Sequence, residues 1–291
     1  MYVRKKSKFL LMLVPLLAMS TSFKNVSRSS GPDHIVILIE ENHSYAQIVG
    51  STDAPYINSL IKQGLSFTNS HGVIHPSQAN YIALYSGSTQ GVEGDRCLEK
   101  ETPFSTPNLG HALISNGLTF SGYSESMPRM GFTGCGFADS VGGHYARKHS
   151  PWVNWQGDSP TGLSDSTNLT FRDFPSDFSK LPTVSIVIPN LGNDMHDGSI
   201  KKGDDWVKHN MDAYIQWAKK NNSLFILTFD EDDFTKANHI ATIFVGAGIK
   251  ANTKDANRIN HYNILRTIEN FYKLPASGSA KEKLIAGVWK N

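Results

Sequence analysis

The stretch "LFILTFDEDD", residues 224–233, runs from apolar side chains into four consecutive acids. Adjacent carboxylates repel one another. A solvated turn tolerates such crowding, and a bound cation requires it. Two other apolar runs end in groups of similar chemistry: "HIVILIE" (34–40) is followed by Glu41 and Asn42, and "TVSIVIPN" (183–190) by "LGNDMHDG", which carries Asp194 and His196. Glu41, Asn42, Asp230 and Glu231 are hard oxygen donors, the set that suits Mg²⁺, Mn²⁺ or Ca²⁺ better than Zn²⁺. His196, His239 and His261 are the nitrogen donors that a zinc site would draw on.

The stretch "HPSQANY" (75–81) offers the nucleophile. Ser77 falls at the start of a predicted helix, where free N–H groups favour an anion. A serine there, beside a cation, can attack phosphorus. Asn80, one turn on, can donate to a phosphoryl oxygen. Taken alone, Ser77 reads more readily as an ordinary helix cap, a common role for serine. His196 in "NDMHDG" is a metal ligand, a general acid for a leaving alkoxide, or part of a solvated loop. In "YARKHSPW" (145–152), Arg147, Lys148 and His149 form either a surface basic patch or a clamp on phosphate. His75, His239 and His261 are further candidates for substrate contact.

These residues must be positioned by the elements that precede them. "HIVILIE", "TVSIVIPN", "SLFILTFD" (223–230) and "HIATIFVGAGI" (239–249) are continuous apolar runs, the mark of strands buried on both faces. Helices are expected over "APYINSLIKQG" (54–64), from "NYIALYSG" (80–87), over 204–222 and over "NILRTIENFYKL" (263–274), and "NLGHALISNGLTFSGYSE" (108–125) reads as a helix, a Gly-centred turn and then a strand. The alternation predicts an α/β fold with a mostly parallel sheet covered on both sides. In such sheets ligands bind beyond the carboxyl ends of the strands, and that is where the acids lie. Residues from about 88 to 180 are rich in turn formers and read as a loop-rich, cap-like insertion.

The chain has 291 residues, 39% hydrophobic and 19% charged, enough for a sizeable core. A formal net charge of +2 gives no reason to expect a nucleic-acid partner. Arg4, Lys5, Lys6 and Lys8 precede an apolar run from Phe9 to Met19, a secretory signal pattern too short for a membrane span. Residues 1–25 are therefore set aside as a signal peptide, leaving 26–291 as a single domain with no stable membrane anchor. Cys97 and Cys135 are expected to pair, because export implies an oxidising compartment.

Together, "EENHSY", "HPSQANY", "PNLGNDMHDG" and "TFDEDD", in this order, resemble the bacterial phosphoesterase family of acid phosphatases and phospholipases C. The resemblance covers nearly all of the chain after the signal segment and is strongest to small secreted acid phosphatases. It implies an alkaline-phosphatase-like three-layer α/β/α sandwich, a divalent metal cation at the strand ends and a phosphoserine intermediate. Glu41 with Asn42 and Asp230 with Glu231 correspond to the metal-binding pairs. Ser77 corresponds to the nucleophile that also touches the metal, and Asp194 with His196 to the leaving-group motif. Ala79 stands where the family often has Pro, and Glu231 replaces the His of zinc-dependent relatives, which favours one hard cation. The implied function is a secreted phosphatase acting on a phosphorylated small molecule or a phosphoinositide-like substrate. A phospholipase C-like phosphodiesterase of the same fold is one alternative. A non-catalytic, Ca²⁺-stabilised exported binding module is another, and replacing Ser77 by Ala separates it from an enzyme.

Overall fold

The computed structural model describes residues 1–3, 31–235 and 237–290, apart from the side chains of 279 and 280. Apart from residues 1–3, the expected signal peptide lies outside the described residues. Among the described residues the strands in chain order are β1 (His34–Glu40), β2 (Leu65–His71), β3 (Phe120–Ser124), β4 (Gly136–Ala138), β5 (His144–Ala146), β6 (Asn168–Thr170), β7 (Val184–Ile188), β8 (Ser223–Phe229), β9 (His239–Gly246), β10 (Thr253–Asp255) and β11 (Ile259–Asn260). The helices are α1 (Tyr45–Ile48), α2 (Pro55–Gln63), α3 (Gln78–Ser86), α4 (Leu109–Ser115), α5 (Ile200–Ala218) and α6 (His261–Phe271), joined by short 3₁₀ turns. None of these helices is long and apolar enough to cross a membrane.

Nine strands form one sheet in the order β10-β2-β9-β8-β1-β7-β3-β6, with β11 also on β2. Every pairing is parallel except those of β9 with β8 and with β2. The continuous apolarity of β9 records burial on both faces, not direction. Residues 230–238 are too few for a crossover, so the chain returns antiparallel.

Alternation along the central β1 divides the core. Ile35, Ile37 and Ile39 pack with Ile82 of α3, Leu113 of α4 and Ile264 and Ile268 of α6. Val36 and Leu38 point to the other face, against Ile57 and Leu60 of α2 and Val207, Met211 and Ile215 of α5. This is the three-layer α/β/α arrangement. The helix expected over 204–222 starts earlier, at Ile200, because Ser199 caps it by accepting the Lys202 amide at 3.2 Å.

The segment 88–180 is divided. It supplies β3 and β6 to the main sheet, so only part of it is extra to the sheet. The remainder includes the β4–β5 hairpin and a 3₁₀ segment, Pro151–Trp155, that drives Trp152 and Trp155 fully into the core. Trp152 lies flat on β3, where a Cβ at Gly122 would meet its ring at 2.0 Å. Truncating either tryptophan to Ala would cost about 3–5 kcal/mol. Cys97 and Cys135 are bonded, with Cα atoms 5.6 Å apart, tying the loop after α3 to the approach to β4. Strand β2 has no apolar signature in the sequence. Its "LSFTNSH" has few apolar residues, and its buried Ser70 instead meets Thr242 of β9 at 2.8 Å.

Candidate active site

Ser77 precedes the first residue of α3, but its side chain does not cap the helix. The amide of Gln78 is taken by Asp95 Oδ1 at 2.9 Å, and Lys148 Nζ holds the other carboxylate oxygen of Asp95 at 2.7 Å. The ordinary capping role is thus filled from elsewhere. Ser77 Oγ faces Glu41 Oε2, Asn42 Oδ1 and Glu231 Oε1, each at 3.1 Å. One hydroxyl proton serves only one of these three acceptors.

The acceptors come from two neighbouring parallel strands. Glu41 and Asn42 follow β1, and Asp230 and Glu231 follow β8. Asn42 turns at φ 54, a left-handed conformation that asparagine tolerates better than most residues. This lets its amide donate to Asp230 Oδ1 at 3.1 Å while its side chain reaches Ser77. Glu231 is gripped from the far side by His75 Nδ1 at 2.9 Å and Asn80 Nδ2 at 3.3 Å. Tyr81 donates its hydroxyl to Glu41 Oε1.

Beyond Glu41 lies a second cluster. His149 stacks on Tyr81, with Nε2 3.1 Å from Glu41 Oε1 and Nδ1 3.3 Å from Asp194 Oδ2. Glu41, His149 and Asp194 bring three ligating atoms within 4.8 Å of one another. Asp194 is aimed by a strained turn. Met195 is buried at φ 76, a conformation that costs on the order of 1–3 kcal/mol in a bulky residue. It is held there against Gly203, where a Cβ would stand 2.5 Å from Met195 Cγ. The Asp194 carbonyl accepts the Glu41 amide at 2.8 Å, and Asp194 Oδ1 accepts the His196 amide at 2.8 Å. His196 itself is exposed, 5.9 Å between ring centres from His149 and 2.7 Å from Asp197.

Glu41, Asp194, Asp230 and Glu231 are almost completely buried. Burial, followed by the neighbouring negative charge of Asp230, pushes Glu231 up to about 8. Burial likewise raises Asp230 to about 7, and Glu41 well above its ordinary range. His149 is driven the other way, by burial and then by Lys148 and His196. Four carboxyl groups face one lysine. Asp230 Oδ2, Asp194 Oδ2 and His149 Nε2 have no hydrogen-bond partner. An oxygen-only set around Ser77, short of protons and of positive charge, fits a hard divalent cation, and such an ion would reverse these shifts.

Residues 51–275 match the sequence profile of the Phosphoesterase family. The chain belongs to the phosphoesterase family. It is 45% identical over 249 residues to the phosphatidylinositol-3-phosphatase of Mycobacterium tuberculosis, covering 85% of this chain and 79% of that one. It is 31% identical to an acid phosphatase of Aspergillus fumigatus, covering 75% of this chain but 51% of the relative, so it spans about half that protein's length. A solved structure from Vibrio parahaemolyticus, in the alkaline phosphatase superfamily, shares the fold with a TM-score of 0.59 at 13% identity, over 86% of this chain and 69% of that one. The protein is a phosphoric ester hydrolase.

Within this phosphoesterase the four acids after β8 have separate fates. Asp230 and Glu231 face the site. Asp232 is buried and accepts from the backbone of Thr235 and His239, shaping the turn, and Asp233 is exposed. Several residues read from sequence as substrate contacts are occupied otherwise. Asn80 is not available to a phosphoryl oxygen: its Oδ1 accepts the Val73 and Ile74 amides, and its Nδ2 serves Ile74 and Glu231. Arg147 is buried and reaches Thr102 Oγ1 at 3.2 Å, whereas Lys148, the next residue of the 3₁₀ turn, pairs with Asp95. His239 stacks between Tyr45 and His71. His261 is buried and meets the Asp230 carbonyl at 2.6 Å, bracing that loop from behind. Sequence reasoning missed Tyr81 and Asp95. Tyr81 lies inside "HPSQANY", four positions beyond Ser77 and so on the same side of the helix. Nothing local marks Asp95.

Proposed function

We propose that this phosphoesterase hydrolyses phosphate monoesters through a phosphoserine on Ser77. The observation that carries the reading is the ring of three oxygens 3.1 Å from a serine hydroxyl that has been relieved of capping. Glu41, Asn42, Ser77, Asp230 and Glu231 would hold one divalent cation, with Mg²⁺, Mn²⁺ or Ca²⁺ favoured over Zn²⁺ by the oxygen chemistry. When bound, that ion supplies a Lewis acid and offsets the negative charge of the carboxylates.

Ser77 Oγ attacks phosphorus in line as the bond to the leaving oxygen breaks. Its proton passes toward Glu41 or Glu231, the acceptors already facing it. Lys148, the one lysine near the carboxylates, offsets charge on the transferring phosphoryl group, and the N-terminus of α3 adds amide dipoles. His196, exposed on the far side of His149, protonates the departing alkoxide. Asp194 holds the His196 backbone in place. Water then cleaves the phosphoserine, with His196 as base. The second anionic oxygen of a monoester favours this reading over a diester, because Lys148, whose charge acts on Glu41 and Glu231, is a donor able to meet it.

The names of the relatives support a phosphorylated small molecule or a phosphoinositide-like compound as substrate. The Cys97–Cys135 bond and the N-terminal pattern support a secreted or periplasmic, single-domain enzyme. The test is hydrolysis of p-nitrophenyl phosphate and bis(p-nitrophenyl) phosphate, with and without EDTA, by wild type and Ser77→Ala. Chelator-sensitive monoester turnover that vanishes in the variant is expected. Preference for the diester, or turnover that survives Ser77→Ala, would sink the proposal.

A further inference from the structure

A cavity of about 500 Å³ opens where β7, β3 and β6 end. It is built from the loops that follow these strands and from the first turn of α5. The Asn190–Asp194 turn connects its floor to the carboxylate cluster, since Asn190 and Asn193 line the cavity while the Asp194 carbonyl holds Glu41. In the sheet β3 is two strands from β1, a separation of about 10 Å.

The charges in this cavity are unequally committed. Glu125 accepts from the Asn190 amide and from Asn193 Nδ2, both at 2.9 Å, and from Trp206 Nε1 at 3.0 Å. Asp139 accepts from Ser126 Oγ at 2.6 Å, the Gly143 amide at 2.7 Å and the Val141 amide at 3.0 Å. These donors, with Arg172 more weakly, hold the Asp139 carboxyl below its ordinary range. Each acid is thus held by three of the protein's own donors. The two cations are not. Arg172 and Lys202 are exposed, and among the described residues neither side chain makes an ion pair or a hydrogen bond. A Cβ on Gly192 would stand 2.8 Å from Lys202 Nζ, which sets that ammonium over the loop between the cavity and Asp194.

We infer that this cavity is a subsite for a second phosphate carried by the alcohol part of the substrate, with Arg172 and Lys202 as its ligands. This rests on the phosphomonoesterase reading of Ser77. The substrate class is a phosphorylated polyol bearing another phosphoryl group, long enough to bridge two strand spacings. Hydroxyl and amide groups on the wall match the polyol between the phosphates. Two exposed charge contacts of this kind, at about 1 kcal/mol each, correspond to roughly 10- to 100-fold in affinity.

The test compares wild type, Arg172→Ala, Lys202→Ala and the double variant on p-nitrophenyl phosphate, a hexose 1,6-bisphosphate, a soluble inositol 1,3-bisphosphate, and phosphatidylcholine vesicles containing phosphatidylinositol 3-phosphate. For the double variant, KM for at least one bisphosphorylated compound should rise about 10-fold or more, with p-nitrophenyl phosphate kinetics unchanged. The unchanged arm also shows that the variant is folded. Loss on the soluble compounds assigns the ligand to free polyol phosphates, and loss confined to vesicles assigns it to a lipid headgroup. Equal losses on all substrates, or none on any, overturn the subsite. Should wild type turn over nothing, the catalytic reading fails separately. Equilibrium binding of the hexose bisphosphate to wild type and double variant then decides the subsite by the same 10-fold criterion.

Discussion

Asp95 Oδ1 accepts the backbone amide of Gln78 at 2.9 Å, so α3 is capped by a residue 17 positions downstream. That bond determines what the serine before the helix can do. Ser77 keeps its hydroxyl for the oxygens of Glu41, Asn42 and Glu231, and Lys148 is fixed beside the same group through Asp95.

Replacing Asp95 by Ala should therefore lower both stability and rate. Loss of the cap costs about 1 kcal/mol. Lys148 loses its anchor, and Ser77 gains a competing use as a cap. We expect a drop of a few degrees in Tm and a fall in kcat/KM for p-nitrophenyl phosphate on the order of 10-fold or more. A lowered Tm with wild-type kinetics would show that the cap has no bearing on the nucleophile.

The same carboxylate predicts a pH dependence. Burial acts to raise the pKa of Asp95, but Lys148 and the Gln78 amide outweigh it and hold the group below its ordinary value of 3.8. A carboxyl depressed in the folded state stabilises above its unfolded pKa, and this stability is lost as pH falls through the folded value. The stability difference between wild type and Asp95→Asn should be constant between about pH 6 and 8 and should shrink below about pH 4. Urea unfolding across that range measures it. A difference that persists undiminished in acid would contradict the assignment.

Glu231 depends on His75, whose Nδ1 lies 2.9 Å from its Oε2. Partners that orient a metal-binding group typically matter by 10- to 100-fold in affinity. His75→Ala should weaken divalent-cation binding by about that factor, read as the cation concentration needed for half-maximal activity. The substitution should leave KM at saturating cation nearly unchanged. A raised KM with unaltered cation dependence would make His75 a substrate contact instead.

The Cys97–Cys135 bond closes a loop of 38 positions that begins two residues after Asp95. On chain-entropy grounds such a closure is worth about 4 kcal/mol. The double variant Cys97→Ser/Cys135→Ser should lose stability of that order in chemical denaturation, with the m-value reporting any change in the unfolded state. Stability within about 1 kcal/mol of wild type would mean that the native packing of the loop does not need the bond.

The strand ends were legible in the sequence because burial on both faces writes a continuous apolar run, and the polar residue that stops it is the first to leave the sheet. This is why Glu41, Asn42, Asp230 and Glu231 could be read off as a group, with Ser77 beside them. Direction was less visible. The apolar run of β9 is the same in either orientation, and only the short link after β8 makes it antiparallel. Strand β2 has few apolar residues, and its buried Ser70 is satisfied across the sheet by Thr242 of β9, a contact with no local signature.

What only the tertiary structure decided is which polar group meets which. Asn80 and Ser77 lie three positions apart, yet one is consumed by the turn before the helix and the other faces the carboxylates. Arg147 and Lys148 are adjacent, yet the 3₁₀ turn gives them different partners, Thr102 and Asp95. Residue type and spacing set the chemistry a chain can perform. The partner of each hydrogen bond depends on contacts between segments far apart in sequence, where burial leaves no water to substitute for a missing partner.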